Sequence, residues 1–300
     1  MFKRHAETTA TLVDFVSGLK PAKPVPVGRL PKISVITPSY NQAKFLERTI
    51  LSVLNQNYPR LELIVIDGGS TDGSVEIIKR YEKYLTYWES AKDRGQSHAL
   101  NKGFARATGD YVGWQNSDDL YYPGALLKLG EAASHGRPSI VSGNLLVADA
   151  NNKVLRRVHY TPMTRRELTV IKASIPNQSA LFRRDLFERM GSIDESMRYC
   201  MDLELWSRLL KEGPNKVVPS AYGVYTSHDE TKTALLDDVH RSERAMIVER
   251  IQKSEPGMGS LFPLSCRAAQ VAAHARQGDF PYLMDKLLTK MVGRDTWNAY

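Results

Sequence analysis

The densest chemistry in this chain lies in ten residues, Tyr111 to Leu120, reading YVGWQNSDDL. The apolar run Tyr111 to Trp114 reads as a short strand. Asn116, Ser117, Asp118 and Asp119 follow it at once, before Pro123 opens a helix. Two adjacent carboxylates at a strand end repel each other unless water, a cation or a basic partner offsets them. A hard divalent ion, Mg²⁺ or Mn²⁺, does this with oxygen ligands, and Mg²⁺ in particular is held by one or two carboxylates plus the phosphates of a substrate. The plainer alternative is an acidic turn that caps the next helix. A second polar loop, Asp67 to Ser74 (DGGSTDGS), is rich in glycine, which lets backbone approach a ligand closely. It is neither a GxGxxG fingerprint nor a phosphate loop ending in Lys-Ser/Thr. Asp67 suits accepting hydrogen bonds from a base or ribose, and Asp72 suits a helix cap. Tyr40 either stacks on a planar base or packs in the ordinary way.

These loops need elements to hold them. Ile33 to Thr37 (ISVIT) and Leu61 to Ile66 (LELIVI) are continuous apolar runs, as expected of strands covered on both faces. Phe45, Leu46, Ile50, Val53 and Leu54 recur at helical spacing between them, and Val75, Ile78 and Tyr81 do so after the second. A third strand is expected over Tyr84 to Glu89, then a loop with Asp93-Arg94-Gly95-Gln96 and a helix through Ala99, Leu100, Gly103 and Phe104. Strands alternating with helices predict a doubly wound α/β sheet, mostly parallel, with ligands beyond the carboxyl ends of its strands. The loops at Pro38, Asp67, Asp93 and Asp118 all leave such ends, so they should converge on one crevice. Farther on, two short strands are expected at Ile140 to Gly143 and Leu145 to Ala148. A helix follows at Arg184 to Met190, and another buries Leu203, Trp206 and Leu210. Residues 237–300 read as helical.

Hydrophobic content of 42% and charged content of 25% in 300 residues are those of a soluble globular protein. No uncharged apolar run approaches membrane-spanning length, and the start lacks a signal-peptide core, so a cytoplasmic location is expected. Cys200 and Cys266 form no metal or redox spacing and read as reduced, buried thiols. Of the net charge of +8, the stretch from Asn151 to Met190 carries nine Lys/Arg against three acids. That face suits anionic lipid headgroups or a phosphorylated acceptor, or is equally a plain solvated surface; no nucleic-acid motif accompanies it.

Taken in order, PKISVITPSYN, LELIVIDGGSTDGS, DRGQSHALNKGFARATGDYVGW and NSDDLYYPGAL resemble the catalytic region of family 2 glycosyltransferases, the inverting group with a GT-A fold. The resemblance implies a nucleoside-diphosphate sugar as donor, a glycan or lipid-linked glycan as acceptor, and Mn²⁺ or Mg²⁺ as cofactor. It implies that Thr37, Pro38, Tyr40 and Asp67 hold the nucleoside, with Asp93 and Gln96 nearby. Ser117-Asp118-Asp119 would be the DxD-type motif, Asp118 facing the ribose or donor sugar and Asp119 holding the metal. The segment Asp194 to Leu210 is similar to the helix that presents the general base. There Met201 replaces the first acid of the usual pair and leaves Asp202, with Glu204 close by as a competing candidate. On a helix, residues two apart point in different directions, so only one of them can face the crevice. His228 looks like the loop histidine that completes metal coordination, Lys232 would offset diphosphate charge, and Gln178 would lie near the acceptor. On this reading residues 1–30 are a leader and linker, 31–236 the GT-A domain (31–126 for the nucleotide sugar, 127–236 for the acceptor), and 237–300 a helical extension. Two rival classes are a non-catalytic sugar-nucleotide-binding subunit and a nucleotidyltransferase. The second should carry a glycine-rich, arginine-containing loop after the first strand, where this chain reads TPSYNQ.

Overall fold

The computed structural model describes residues 2–23, 25, 28–170, 175–228, 237–255 and 262–276. Strands β1 (Ile33–Ser39), β2 (Leu61–Asp67), β3 (Tyr87–Ser90) and β4 (Tyr111–Trp114) form a parallel block. Helix α1 (Phe2–Val16) precedes this block, and α2 (Ala43–Leu54), α3 (Ser74–Tyr81) and α4 (Gln96–Phe104) alternate with its strands. The pleat sends alternate residues to opposite faces. Ile33, Val35, Leu63 and Val65 meet Leu46, Ile50 and Val53 of α2 and Ile78 of α3. Ile36, Ile64, Ile66, Val112 and Trp114 meet Ala99, Leu100 and Phe104 of α4 on the other face. Because helices cover both faces, the strands are apolar at consecutive positions. This is the α/β sheet expected, ordered β3-β2-β1-β4 and continued by strands Ala180–Arg183, Ile140–Asp149, Lys216–Ser227 and Leu120–Tyr121, with Val154–Val158 paired to Ile140–Asp149.

The distal half is mixed. Its elements are β5 (Leu120–Tyr121), α5 (Ala125–Ser134), β6 (Ile140–Asp149), β7 (Val154–Val158), β8 (Ala180–Arg183), α6 (Arg184–Met190), α7 (Met201–Leu209) and β9 (Lys216–Ser227). Where two short strands were expected, β6 is a single ten-residue strand with a register shift between Ser142 and Asn144. Gly143 sits in that shift, where a Cβ would lie 2.4 Å from the Ala221 carbonyl oxygen, so glycine permits the close approach of β9. The third strand begins at Tyr87 because residues Glu82–Tyr84 wind into a 3₁₀ turn. The helix expected from Pro123 starts at Ala125, after Gly124 at φ +76.

The segment expected to be a leader is helix α1, whose Leu12 and Val16 are buried with Leu120, Leu146 and Val224. At the other end lie α8 (Asp237–Ser254) and α9 (Phe262–Arg276). The helical expectation for residues 256–261 and 277–300, together with Lys172 and Lys232, falls outside the described residues. Both cysteines are buried and unbridged. The basic stretch spends much of its charge internally: Arg165 and Arg166 pair with Glu255, Arg183 with Asp185 and Arg184 with Glu188. No described helix is long and apolar enough to cross a membrane.

The two halves meet through aromatic rings. Trp114 at the end of β4 stacks on Trp206 of α7, with centroids 5.7 Å apart and planes 13° apart; Phe104 and Phe182 pack edgewise against them, and Phe187 lies tilted against those two phenylalanines. Trp206 Nε1 donates to the Ile175 carbonyl at 3.0 Å. Replacing Trp206 with Ala should therefore cost about 3–5 kcal/mol in urea unfolding. Tyr84→Ala, at a 45% exposed position, should stay within about 0.5 kcal/mol of the wild type.

Candidate active site

Register sets the site. Ser39 is paired to Asp67 and Asp67 to Ser90, while Ile36 is paired to Trp114, so the loops after all four strands open at the same end of the sheet. They surround a crevice of about 650 Å³, closed on its far side by Gln178, Tyr199, Asp202 and Tyr225.

At the centre is Asp119, 1% exposed. Its Oδ2 accepts hydrogen bonds from Asn116 Nδ2 and Gln178 Nε2, each at 3.0 Å, and its Oδ1 accepts one from the Thr226 backbone N–H at 3.0 Å. Burial first, and then the neighbouring charge of Asp118, push its pKa well above the usual carboxylate range. The Thr49 hydroxyl lies 2.9 Å from the carbonyl oxygens of both Ser117 and Asp119 and fixes the turn from α2. Asp118 Oδ2 is 3.1 Å from His228 Nε2, and the imidazole stacks on Phe45 with centroids 4.4 Å apart. The sequence thus placed His228 at the acidic pair, but its partner is Asp118 rather than Asp119. The arrangement exists because β5 pairs with β9, which runs on past Thr226 to His228.

Among the described residues no three His, Cys, Asp or Glu side chains gather closely enough to cage a metal unaided. The donor set nevertheless fits a hard divalent ion. It offers two carboxylates and an imidazole, and Asp119 Oδ1 accepts only one hydrogen bond and so keeps a lone pair. The remaining ligands would be phosphate and water. The Ser39 and Thr226 hydroxyls are also buried without a protein partner, Ser39 on the crevice wall and Thr226 beside Asp119, leaving polar capacity for a polar ligand.

On the wall formed by the loops after β1 and β3, Pro38, Tyr40, Asp93 and Gln96 line the crevice. Tyr40 is 63% exposed. Gln96 Nε2 donates to Asn116 Oδ1 at 2.7 Å, linking this wall to Asp119. Asp93 Oδ1 accepts from Gly95 N at 2.8 Å, and a Cβ on Gly68 would stand 2.9 Å from Asp93 Oδ2 and 3.2 Å from Tyr40. Glycine at position 68 therefore leaves room for both side chains. Two expected contacts are corrected. Thr37 is wholly buried and does not line the crevice, because the pleat turns it inward. The Asp67 carboxylate is spent on its own loop: Oδ2 accepts from Gly69 N, Ser70 N and Ser90 Oγ, and Oδ1 from Ser70 Oγ. Asp67 thus holds the turn that carries Gly68 and, wholly buried, is not among the residues that line the crevice. Asp72 caps as expected, accepting from Ala43 N and Ser74 N.

Helix α7 settles the direction of Asp202 and Glu204. Asp202 lines the crevice, and burial pushes its pKa up to about 6 against the opposing hydrogen bond from Leu203 N. Glu204 points away and binds Arg208 in a two-toothed pair at 2.7–3.1 Å. Arg208 in turn holds the carbonyls of Met190 and Gly191. The residue-level reading missed Lys92, the sole Lys or Arg among the described lining residues, and also Tyr199 and Tyr225. No local pattern marks them; they reach the crevice through strand pairing and helix packing.

A family model described as glycosyl transferase family 2 matches residues 34–191, just over half of the chain. TuaG of Bacillus subtilis, a glycosyltransferase named for teichuronic acid biosynthesis, is 32% identical over 190 residues, covering 61% of this chain and 73% of that one. The chain spans 59% and 54% of the length of two further glycosyltransferases, from Rickettsia typhi and a Nostoc species. Among solved structures, residues 1–349 of Staphylococcus aureus TarS with UDP-GlcNAc superpose with TM-score 0.61 at 18% identity, over 81% of this chain and 72% of that one. The mannosyltransferase PcManGT of Pyrobaculum calidifontis, with GDP-Man and Mn²⁺, gives 0.59 at 19% identity, over 99% and 91%. At such identities these two likenesses speak for the fold alone. With the family match and the bacterial relative alongside them, the chain belongs to glycosyltransferase family 2.

Proposed function

We propose that this glycosyltransferase moves a sugar from a nucleoside-diphosphate sugar to a hydroxyl of a glycan or lipid-linked glycan, in one inverting displacement assisted by Mn²⁺ or Mg²⁺. The observation that carries the reading is a single crevice lined both by the Asp118-Asp119 pair and by Asp202, a carboxyl whose pKa is raised to about 6. The two kinds of acid have opposite tasks. Asp119, with His228, is the holder of the ion, and Asp118 faces the ribose or donor sugar. When bound, the ion offsets the charge that builds on the departing diphosphate. Tyr40, beside Pro38, stacks on the base, and Asp93 and Gln96 complete that wall. Lys92 supplies a positive charge to the diphosphate. Gln178 keeps Asp119 in place and borders the acceptor. Asp202 takes the proton of the acceptor hydroxyl as it attacks the anomeric carbon; a base with a pKa just below neutrality is both ionised and effective at working pH. Support for the donor class comes from the neighbours solved with UDP-GlcNAc and with GDP-Man and Mn²⁺. A lipid-linked acceptor would bring the protein to the inner membrane face, where exposed basic residues of the 151–190 stretch such as Lys153 and Arg189 are the contact with anionic lipid.

Three outcomes are expected. UDP or GDP should raise the melting temperature in the presence of Mn²⁺, by the equivalent of about 2.7 kcal/mol at a hundredfold excess over Kd. Asp119→Ala should lose this Mn²⁺-dependent gain, and the gain should weaken as pH falls because protons compete for the carboxylates. A gain that is independent of Mn²⁺, or retained in Asp119→Ala, would remove the metal from the reading.

The kcat/KM of transfer should fall on the acid side with a midpoint near 6, the value to which burial brings Asp202. Asp202→Asn should abolish transfer while sparing nucleotide binding; near-normal transfer in that variant would take the base role away from Asp202.

Stability should follow with the opposite sign. Folding raises the Asp202 pKa, so its proton stabilises the native state below the unfolded value near 3.8, and this contribution is lost as pH rises through about 6. Asp202→Asn should therefore gain on the wild type between about pH 5 and 8, on the order of 2 kcal/mol, in denaturant titrations at each pH.

A further inference from the structure

The helix that presents Asp202 has no cap of its own. α7 begins at Met201, its N-cap residue is Cys200, and no side chain from its own segment caps it. The backbone donors just ahead of it are taken instead by a carboxylate more than forty residues later, on α8. Glu243 Oε1 accepts from Arg198 N at 2.7 Å, and Oε2 accepts from Tyr199 N at 2.9 Å and Cys200 N at 2.7 Å. Glu243 is 7% exposed, and a buried carboxylate is a costly choice unless its bonds accomplish something. It also places a negative charge at the positive end of α7.

The same helix braces the neighbouring crevice wall. The His240 ring lies against the Tyr199 ring with centroids 4.8 Å apart, and the His240 carbonyl accepts from Cys200 Sγ at 3.6 Å. Ile247 and Ile251 are buried in the core that contains Leu203 and Trp206. At the far end Arg165 joins the Ser207 carbonyl to Ser254 and Glu255, so α8 is tied to both ends of α7. Apart from Arg165, none of these residues lies within the stretch matched by the family model.

We propose that Glu243 is a positioning residue for glycosyl transfer: its carboxylate fixes the Arg198–Cys200 turn and thereby holds Asp202 and Tyr199 against the crevice. The inference rests on the reading of Asp202 as the base. The titratable and charged groups that face Asp202 are Arg244 of α8, Tyr160 after β7 and Cys200 of its own turn. Without the clamp the start of α7 opens to water, and the Asp202 carboxyl moves back toward the ordinary range for aspartate.

The test uses the full chain labelled with ¹³C at aspartate carboxyls, with the Asp202 signal assigned by its loss in Asp202→Asn. In the wild type the signal should titrate near 6; in Glu243→Gln, whose amide cannot accept from all three N–H groups, the midpoint should fall by about a unit or more. Donor hydrolysis, with water as the acceptor, should fall ~10²-fold in kcat, the loss typical of a slight misplacement of a reacting group. Stabilisation by UDP or GDP with Mn²⁺ should stay within about twofold in Kd, because the bonds of Glu243 go to the Arg198–Cys200 turn and to none of the residues assigned to the ion. Glu249→Gln, on the same helix but in an exposed pair with Lys253, should change none of these. A folded Glu243→Gln with lower melting temperature but unmoved Asp202 titration and unmoved kcat would show a structural role only and overturn the proposal. Should that variant fail to fold, Glu243→Asp, which keeps the charge on a shorter arm, is read in the same way. If Asp202→Asn itself leaves hydrolysis untouched, the base assignment fails, while the titration still reports whether Glu243 positions the group.

Discussion

A carboxylate that must be buried next to another carboxylate organises this molecule. Asp119 is almost inaccessible, and its neighbour Asp118 makes its ionisation harder still. The three hydrogen bonds that make its burial tolerable come from Asn116 in its own turn, Gln178 before β8 and Thr226 in β9. Three segments spread over more than a hundred residues of sequence therefore have one oxygen pair in common. Leaving such a group unsatisfied would cost several kcal/mol, a large share of a typical domain's stability. The site and the distal half of the sheet are consequently coupled: the Thr226 donor reaches Asp119 from β9, the strand that pairs with both β6 and β5.

The same logic explains which parts were legible in the chain. β1, α2, β2, α3 and α4 could be read because each element carries its own signal: apolar residues at every position for strands covered twice, and at helical spacing for helices covered once. The convergence of the loops at Pro38, Asp93 and Asp118 followed from the general geometry of a parallel sheet. What could not be read depends on partners far away. Asp67 and Thr37 occupy the expected loop and strand, yet the first is consumed by Ser70 and Ser90 and the second is turned into the core. β5 has two residues, too short for any periodicity, but it brings β9 and His228 to the acidic pair. The early helix carries the weak pattern of a leader, yet Leu12 and Val16 are buried. The basic stretch shows how a count of charges misleads, since half of a charge pattern lies in the partners it acquires on folding.

The aromatic cluster solves a different problem, that of holding the two halves at a fixed spacing. Trp114 ends the strand that leads into the acidic turn, and Trp206 sits one turn beyond Asp202 on α7, so their parallel stack sets the distance between the acidic pair and Asp202 through two rigid rings. Flexible side chains in that position would let the wall carrying Asp202 drift relative to the turn, and small displacements of reacting groups are expensive in rate. Trp206 also anchors its indole N–H to the Ile175 carbonyl, which adds a directional bond to a contact otherwise set by shape.

Burial alone does not decide what a carboxyl can do here. Glu62 is buried at the opposite end of the sheet; desolvation works against its charge, but Lys32, Ser34 and Thr108 all donate to it, and its pKa falls to about 2. Asp202 is desolvated too, its hydrogen bonds come from backbone alone and the charge of Arg244 only partly offsets the burial, so its pKa rises to about 6. The first is locked as a permanent anion that ties β1 and β2 to the turn before β4, and it cannot take up a proton near neutrality. The second is left short of donors on the face that opens into the crevice, so it can still accept a proton there. The difference in hydrogen-bond supply, more than the difference in residue type, is what separates a structural acid from one able to serve as a base.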